Sequence, residues 1–388
     1  MNNRPEVLII GAGFTGCAVA HDLALRGCAV TVVDRGEIAA GASGRTHGLL
    51  HSGARYCVDD RESAIECIDE NRVLRRIAGQ CIEPNGGLFV ALDDDDLAYA
   101  DAFIAGAAAC GIPIVELTPA QALRAEPNLN PRLRAAFLVP DGVFDPLRLA
   151  LMFAATARAN GASFRLYHEV ERLLLDGRGN VVGLAVWDRA TGERSELRAD
   201  MVVNAGGAWA GELAGRAGAR VPIAAVPGVM VAFKGRLTRR PINRLNKPGD
   251  GDILLPQRQM VVVGTTSFPT DDPDYVPVER PQVALMMERG AELVPALAGA
   301  PLRGAYTATR PLVGSGAGGR SIARTFKCFD HQESDGVGGL ITITGGKATT
   351  CRAMAEQAAD LVCRRLGIAS PCRTREVPLH SYRQFYTA

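Results

Sequence analysis

This chain lacks several features that would mark a specialised class of protein. It has no strong excess of charge: 43 Lys and Arg face 42 Asp and Glu, a formal net charge of +1. That balance argues against a global attraction to nucleic acid or to an anionic membrane, and leaves room only for a local basic pocket. No run approaches the roughly 18 apolar residues of a membrane span, so the chain reads as soluble or at most peripheral. The ten cysteines are scattered, with no CxxC and no metal-ligand cluster. Reduced thiols in a cytosolic compartment are therefore expected rather than a disulfide scaffold. The opening MNNRPEV leads directly into the first strand, and no signal peptide is expected. No internal repeat or low-complexity tract appears. What remains is an ordinary globular composition, 47% hydrophobic and 22% charged with 43 glycines, long enough for two domains with separate cores.

The stretch from Val7 to Asp34 organises the rest. Val7 to Ile10 form a short apolar run suited to a strand buried on both faces of a parallel sheet. G-x-G-x-x-G follows at Gly11, Gly13 and Gly16, then a helix to Arg26 stopped by Gly27. A second apolar run, Val30 to Val33, ends on Asp34. Strand, glycine turn, helix, strand and acid in that order make a dinucleotide site of a pattern that is weak alone. Gly11 is expected in the tight turn, Gly13 where backbone nears a pyrophosphate, and Gly16 where helix and strand pack closely. The helix N-terminus favours phosphate, and Asp34 is placed to bind a ribose diol. The stretch alone does not separate NAD from FAD.

Residues 36–56 are rich in glycine and small residues but also carry Arg45, His47, His51, Arg55 and Tyr56. The alternatives are close ligand contact and a flexible surface loop; the interleaved histidines and arginines favour contact. A scaffolding helix is expected from Glu62 to Ala78, a strand from Gly87 to Leu92 and a helix from Leu97 to Cys110. The four aspartates Asp93 to Asp96 suit a helix N-terminus better than a metal site. Thr118 to Asn130 read as helix and loop of a separate lobe. Asp145 and Pro146 read as N-cap and first residue of a helix. Strands are expected over Ala162 to Leu174 and Val181 to Asp188, with a turn at Asp176 to Asn180. Met201 to Ala210 repeat the strand, Gly-Gly turn and helix of the opening. Val229 to Phe233, Asp252 to Leu255 and Met260 to Gly264 read as strands of an antiparallel second lobe. The βαβ pattern returns with a strand at Leu340 to Thr344, the turn Gly345-Gly346-Lys347 and a helix from Thr349 to Leu366.

Together these motifs resemble the FAD-dependent glycerol-3-phosphate dehydrogenases, within the wider group of D-amino-acid-oxidase-like flavoproteins, and most of all the catalytic subunits of the anaerobic enzymes. The likeness runs from about Val7 to about Leu366. It rests on GAGFTG, GRTHGLLHSGARY (44–56), VPDGVFDP (139–146), VVNAGGAWA (202–210), NKPGDGDILLP (246–256), GTTS (264–267), TRPL (309–312) and ITITGGKATTCRAMAE (341–356). It implies non-covalent FAD and an α/β plus α+β architecture: a Rossmann-like FAD-binding domain with a parallel sheet, discontinuous in sequence, and a mainly antiparallel substrate domain. The expected division is 1–82, 145–220 and 306–388 for FAD, and 83–144 and 221–305 for substrate. The anaerobic catalytic subunits continue into a cysteine-rich electron-transfer domain. Here the sequence stops at Ala388 with only Cys351, Cys363 and Cys372 near its end, short of the roughly four clustered ligands an iron–sulfur cluster needs.

The resemblance assigns residues. Cofactor contacts are expected from Gly11, Gly13, Phe14, Thr15, Gly16, Asp34 and Arg35, and from Ser43, Gly44, Arg45, His47, Gly48 and Leu49. They are also expected from Val170, Ala205, Gly206 and Trp209, and from Gly345, Gly346, Lys347, Ala348 and Thr349. Backbone N–H groups of the Gly345-Gly346-Lys347 turn are expected to face the flavin N1 and O2 edge. Arg55 and Arg310 match the substrate arginines within GARY and TRPL; Arg324, in the looser SIARTF, is a third. Guanidinium forks suit a phosphate or phosphonate. Tyr56, Thr266 and Lys347 are further substrate contacts. Arg310 and Lys347 are also expected in the catalytic set with His51, the candidate proton acceptor; the alternative for His51 is packing against the flavin or bonding the backbone. The expected reaction is hydride transfer to flavin N5 from a small anionic hydroxy compound, sn-glycerol 3-phosphate by resemblance. The rivals are another phosphate, a phosphonate, a 2-hydroxy acid or an amino acid as substrate, and a non-catalytic FAD-binding subunit. The acceptor is open between a partner protein, a quinone and oxygen. No nucleic acid, metal or transmembrane segment is expected; the compartment is cytoplasmic, with peripheral membrane association open.

Overall fold

A computed structural model describes residues 4–314 and 324–387. Of the SIARTF motif, Ser321, Ile322 and Ala323 lie outside the described residues, as does the start of MNNRPEV. The first strand, Glu6–Ile10 (β1), is flanked by Ala29–Val33 (β2) on one side and Met201–Asn204 (β4) on the other, all parallel. Ser163–Arg165 (β3) extends the sheet beside β2, and Leu340–Gly345 (β6) lies parallel to β4. Phe326–Asp330 (β5) closes the edge antiparallel to β6, giving the order β5-β6-β4-β1-β2-β3. Val7, Ile9, Val32, Val202 and Val203 are fully buried. That is why these strands read as continuous apolar runs: helices cover one face, and the antiparallel pair His168–Leu175 and Val181–Asp188 covers the other.

The helix after the first glycine turn, Phe14–Leu25 (α1), is buried along most of its length. It packs between Pro146–Ala159 (α3) and Cys351–Leu366 (α4), in one core with Val7, Ile9 and Val32. The Asp145 side chain accepts from the Arg148 N–H at 3.1 Å and Pro146 is the first helical residue, the cap its sequence spells out. Arg61–Ile77 (α2) is capped by Asp60, which accepts from the Ser63 N–H.

The second large sheet has eight strands and is mainly antiparallel. Leu302–Val313 forms one edge, paired with Ile223–Lys234, which pairs in turn with Met260–Gly264. Ile253–Gln257, Ile242–Arg244, Gly87–Ala91, Ala135–Val139 and Val115–Leu117 follow in order. Val229, Val231, Phe233 and Val263 on one face pack against Met286 and Leu293 of the helix Arg280–Leu293. Met230 and Ala232 point the other way, with Ala308 packed beside them. A small sheet of Leu49–Leu50, Gly142–Phe144 and Ile82–Glu83 joins the two large ones.

Several expectations change here. The strand read over Ala162 to Leu174 is two strands in different sheets. Tyr167 at φ 60 turns the chain between Ser163–Arg165, beside β2, and His168–Leu175, which pairs with Val181–Asp188. A continuous β pattern cannot show such a turn. The helix read over Leu97 to Cys110 is split at Tyr99 into Asp94–Ala98 and Ala100–Ala109. Asp93 caps the first piece, and Asp93 and Asp96 both pair with Arg244. The division expected at residue 306 falls inside a strand: Leu302–Val313 stays with the antiparallel sheet for its whole length.

Candidate active site

A cavity of about 1380 Å³ lies between the C-terminal ends of the cofactor-sheet strands and the Met230–Ala308 face of the larger sheet. It exceeds the usual span for one small ligand, and suits a large ligand with a small one beside it. Gly11, Gly13, Phe14, Thr15, Asp34, Arg35, Ser43, Arg45, His47, Leu49, Val170, Ala205, Gly206, Trp209, Gly345, Gly346, Lys347 and Ala348 all line it. So do His51, Arg55, Tyr56, Arg310 and Arg324.

At one end the cradle is backbone. Gly11 has φ 103, and a Cβ on it would stand 2.6 Å from the Ala205 carbonyl, so the turns after β1 and β4 touch. A Cβ on Gly16 would stand 1.8 Å from the Gly11 carbonyl oxygen, which leaves this helix start to glycine alone. The Phe14 N–H donates to Ser43 Oγ at 2.9 Å. Asp34, at the end of β2, accepts from the Ala12 N–H at 2.6 Å and the Gly36 N–H at 2.8 Å. Each oxygen keeps a lone pair for a ribose hydroxyl. Arg35 lies over the Trp209 ring at 4.4 Å, and the buried Trp209 Nε1 has no partner among the described residues. An open helix N-terminus, a carboxylate one strand away and an unpaired indole N–H fit the phosphate, ribose and ring parts of a dinucleotide.

The other end is made of side chains from distant segments. Arg310 Nη1 donates to Thr265 Oγ1 at 2.7 Å, and its Nη2 donates to the Thr266 and Pro227 carbonyls at 3.0 and 3.2 Å. Arg55 Nη2 donates to Asp252 Oδ2 at 3.1 Å and to the Gly249 carbonyl at 3.2 Å. Arg310 Nε and Arg55 Nη1 are buried without a partner among the described residues. Arg324 is fixed through its backbone. Its N–H donates to Asp60 Oδ2 at 3.1 Å and its carbonyl accepts from Lys347 Nζ at 2.7 Å. Lys347 Nζ also stands 5.0 Å above the Tyr56 ring, and the His51 ring lies 5.3 Å from Tyr56 and 6.5 Å from His47.

The electrostatics follow from crowding cations into a dry site. Burial, with Arg324 beside it, pushes Arg310 down to about 9. Burial also lowers Arg324, with Arg55 contributing. Burial lowers His47 to about 4, aided by Arg310 and Arg55. His51 falls well below the histidine range through burial, then through His47, Lys347, Arg55 and Arg324. Both imidazoles are neutral at neutral pH. His47 Nδ1 accepts from the Leu49 N–H at 3.1 Å, so its proton is on Nε2. The end of the cavity is an array of crowded cations around two neutral proton acceptors.

Some expected contacts are displaced. Thr266 does not line the cavity: its hydroxyl donates to Gln282 at 2.9 Å and accepts from the Val229 N–H at 2.9 Å. Its neighbour Thr265 faces Arg310 instead, because adjacent residues of an extended segment point to opposite sides. Two N–H groups of the Gly345-Gly346-Lys347 turn are already bonded, Gly346 to the Thr325 carbonyl and Lys347 to Thr350 Oγ1, each at 3.1 Å. Ala348, which opens the next turn, lines the cavity beside them. Gly16, Gly44, Gly48 and Thr349 stand behind the wall, where they allow close packing; Thr349 Oγ1 accepts the His51 N–H at 3.1 Å. Sequence reasoning does not single out Asp252, Thr265, Asp60 or Lys247. Three of these lie within the motifs NKPGDGDILLP and GTTS, where the wording alone gives no role to a single residue.

Fold and site together are those of a dinucleotide-binding protein. The FAD dependent oxidoreductase family pattern matches residues 6–361, and the chain belongs to that family. It is an oxidoreductase with FAD as cofactor, and the glycine cradle, Asp34 and Trp209 fit that group. It is 44% identical over 380 residues to a subunit of the anaerobic glycerol-3-phosphate dehydrogenase of Escherichia coli K12, covering 96% of this chain and 70% of that one. It is 43% identical to the corresponding subunit of the anaerobic glycerol-3-phosphate dehydrogenase of Haloferax volcanii, covering 99% of this chain and 68% of that one. The fold is also that of L-α-glycerophosphate oxidase from Mycoplasma pneumoniae, at a TM-score of 0.77, 18% identity and coverage of 97% and 99%. Glycine oxidase from Geobacillus kaustophilus shares it too, at 0.76, 23% identity and coverage of 97% and 98%. Among the described residues no helix is long and apolar enough to cross a membrane.

Proposed function

We propose that this chain oxidises sn-glycerol 3-phosphate to dihydroxyacetone phosphate. The observation that carries the reading is the trio Arg55, Arg310 and Arg324 around one end of the cavity, with Arg310 Nε and Arg55 Nη1 buried and unpaired. A buried guanidinium donor without an acceptor is costly, and a phosphate dianion offers several acceptors at once. A single carboxylate would leave much of that positive charge uncompensated. The names of the 43–44% identical relatives point to the same substrate.

FAD, when bound, supplies the two-electron acceptor for the hydride leaving the substrate carbon. The protein binds, orients and moves the proton. Arg55, Arg310 and Arg324 hold the phosphate, with Tyr56 and Thr265 bonding beside it. His51 accepts the hydroxyl proton at a ring nitrogen; a bound dianion offsets the cations that depress its basicity and raises its affinity for that proton. Lys347 keeps positive charge beside the reacting end and holds Arg324 by its carbonyl. The residues around Asp34, Arg35 and Trp209 take the adenosine half. In this reading residues 1–82 and 145–220, with the chain from β5 onward, form the cofactor domain, and the eight-stranded sheet forms the substrate domain. Because the relatives are named as subunits, the electrons are assigned to a partner protein on the cytoplasmic side, ahead of a free quinone or oxygen.

Anaerobic titration of the purified yellow protein tests this. sn-Glycerol 3-phosphate is expected to bleach the visible flavin band stoichiometrically, and glycerol, a 2-hydroxy acid and an amino acid to leave it oxidised. Bleaching by the acid or amino acid with none by the phosphate would overturn the assignment.

A further inference from the structure

We infer that Asp141 and Asn71 are positioning residues that clamp the turn from His51 to Arg55, so that the proton acceptor and the phosphate-binding arginine share one rigid frame. The inference rests on the tasks proposed above for His51 and Arg55.

The turn has little structure of its own. Leu49–Leu50 ends just before it, and only the three residues Ala54–Tyr56 form a helical turn after it. Gly53 between them has φ 92, where a Cβ would stand 2.2 Å from the Ala64 carbonyl. The turn is held from behind instead. The Ser52 N–H donates to Asp141 Oδ1 at 2.7 Å. Asn71 Nδ2 donates to the His51 carbonyl at 3.0 Å and to the Pro140 carbonyl at 3.1 Å. Arg75 Nε donates to Asn71 Oδ1 at 2.7 Å, which fixes how that amide is turned. Arg75 Nη2 ties in the Pro140 and Asp141 carbonyls at 2.9 and 2.8 Å. From the substrate sheet, Asn243 Nδ2 reaches Asp141 Oδ2 at 3.4 Å. With Thr349 on the His51 N–H, the backbone on both sides of His51 is fixed by side chains of three separate segments.

Asn71 and Asp141 are 1% and 2% exposed, and neither lines the cavity. Asp141 is a carboxylate whose side-chain donors are neutral, and burial pushes its carboxyl above the usual range. Burying such a group costs free energy, and it touches no ligand. What it accomplishes is to place Ser52, midway between His51 and Arg55, relative to both sheets. A displacement of about 1 Å in such a frame can slow a reaction about 10²-fold.

Two variants of the FAD-loaded protein test this. D141N is expected to retain flavin, to bind inorganic phosphate about tenfold more weakly as read from the flavin spectrum, and to be reduced by sn-glycerol 3-phosphate at least about tenfold more slowly. N71A, which removes the bond to the His51 carbonyl but keeps the Ser52–Asp141 bond on the Arg55 side, is expected to slow reduction about tenfold while phosphate affinity stays within about twofold. A merely structural role would not split rate from affinity in that way. Should D141N fail to hold FAD, N71A decides alone: equal losses in both readouts, or none, overturn the inference. If wild-type protein is not reduced by sn-glycerol 3-phosphate, the proposed function fails, and the crystal structure of D141N still reports on the clamp. A His51–Arg55 turn shifted by about 1 Å supports it; one superposing within about 0.3 Å overturns it.

Discussion

The two ends of the cavity are built by opposite means. The glycine-cradle end is made largely of backbone and mostly of one stretch: a strand, a glycine turn, a helix start and Asp34 within residues 6–34, joined by Ser43, Ala205 and Trp209. The other end joins side chains from residues 47–60, 247–265, 310, 324 and 347. At the first end Asp34 is bonded inside the protein, and the buried donor without a partner among the described residues, Trp209 Nε1, is neutral. At the second, buried donors are left unpaired and cations crowd each other. A backbone cradle binds by fit and tolerates little added volume. A side-chain cluster binds by charge, and its unpaired donors call for an anionic partner.

Substitutions can break this contrast. The largest effect is expected from Arg310→Ala: about a 10³-fold loss of kcat/KM, roughly 4 kcal/mol, with flavin content unchanged. Lysine in its place would restore little, since it cannot reproduce the fork. Parallel loss of flavin on purification would show that the two ends are not independent. Next comes Gly16→Ala on α1, whose Cβ meets the fixed Gly11 carbonyl of the turn before it; about 3 kcal/mol of stability should disappear in chemical denaturation. Gly207→Ala, at φ 59 with open space around it, should lose only about 1 kcal/mol. Comparable losses for the pair would undo the backbone-fit argument.

His51→Asn is expected to slow flavin reduction about 10²-fold in stopped flow while FAD stays bound. An effect below about threefold would leave His51 a packing role. Asp34→Asn should weaken FAD binding about tenfold, seen as loss of flavin on gel filtration, without moving the substrate KM. The smallest effect is a pH slope. His47 has its folded-state pKa depressed from 6.5 to about 4. The unfolded chain therefore binds the extra proton first, and flavin-free protein loses stability as pH falls through that interval. His47→Gln should flatten part of that slope in melting curves. An unchanged slope would mean His47 is not held neutral by its surroundings.

Much of the first end is legible in the sequence because its determinants are local. The order of strand, glycines, helix and acid is itself the geometry, and Asp145-Pro146 announces a helix start in the same way. The second end is legible only in part. Motif resemblance singles out Arg55, Arg310 and Lys347, which line the cavity, whereas the Asp252 that holds Arg55 lies 197 residues away. It points to Thr266 rather than Thr265, because the parity of an extended segment depends on what it packs against. The break at Tyr167 is hidden for a similar reason: a β-rich run does not show where one sheet yields to another. The bonded N–H groups of Gly346 and Lys347 are equally invisible, since their acceptors, Thr325 and Thr350, are fixed by how β5 and α4 meet the turn.

The sequence by itself determined a turn of the kind that receives a dinucleotide phosphate, because a tight turn, a close helix and a following acid are properties of about thirty consecutive residues. Only the tertiary structure decided the electrostatics of the other end. It gathers three arginines from distant segments, denies them water, and by that same burial keeps His47 and His51 neutral beside them. Charge, basicity and unpaired donors depend on what surrounds a group in space, and no stretch of chain carries that information alone.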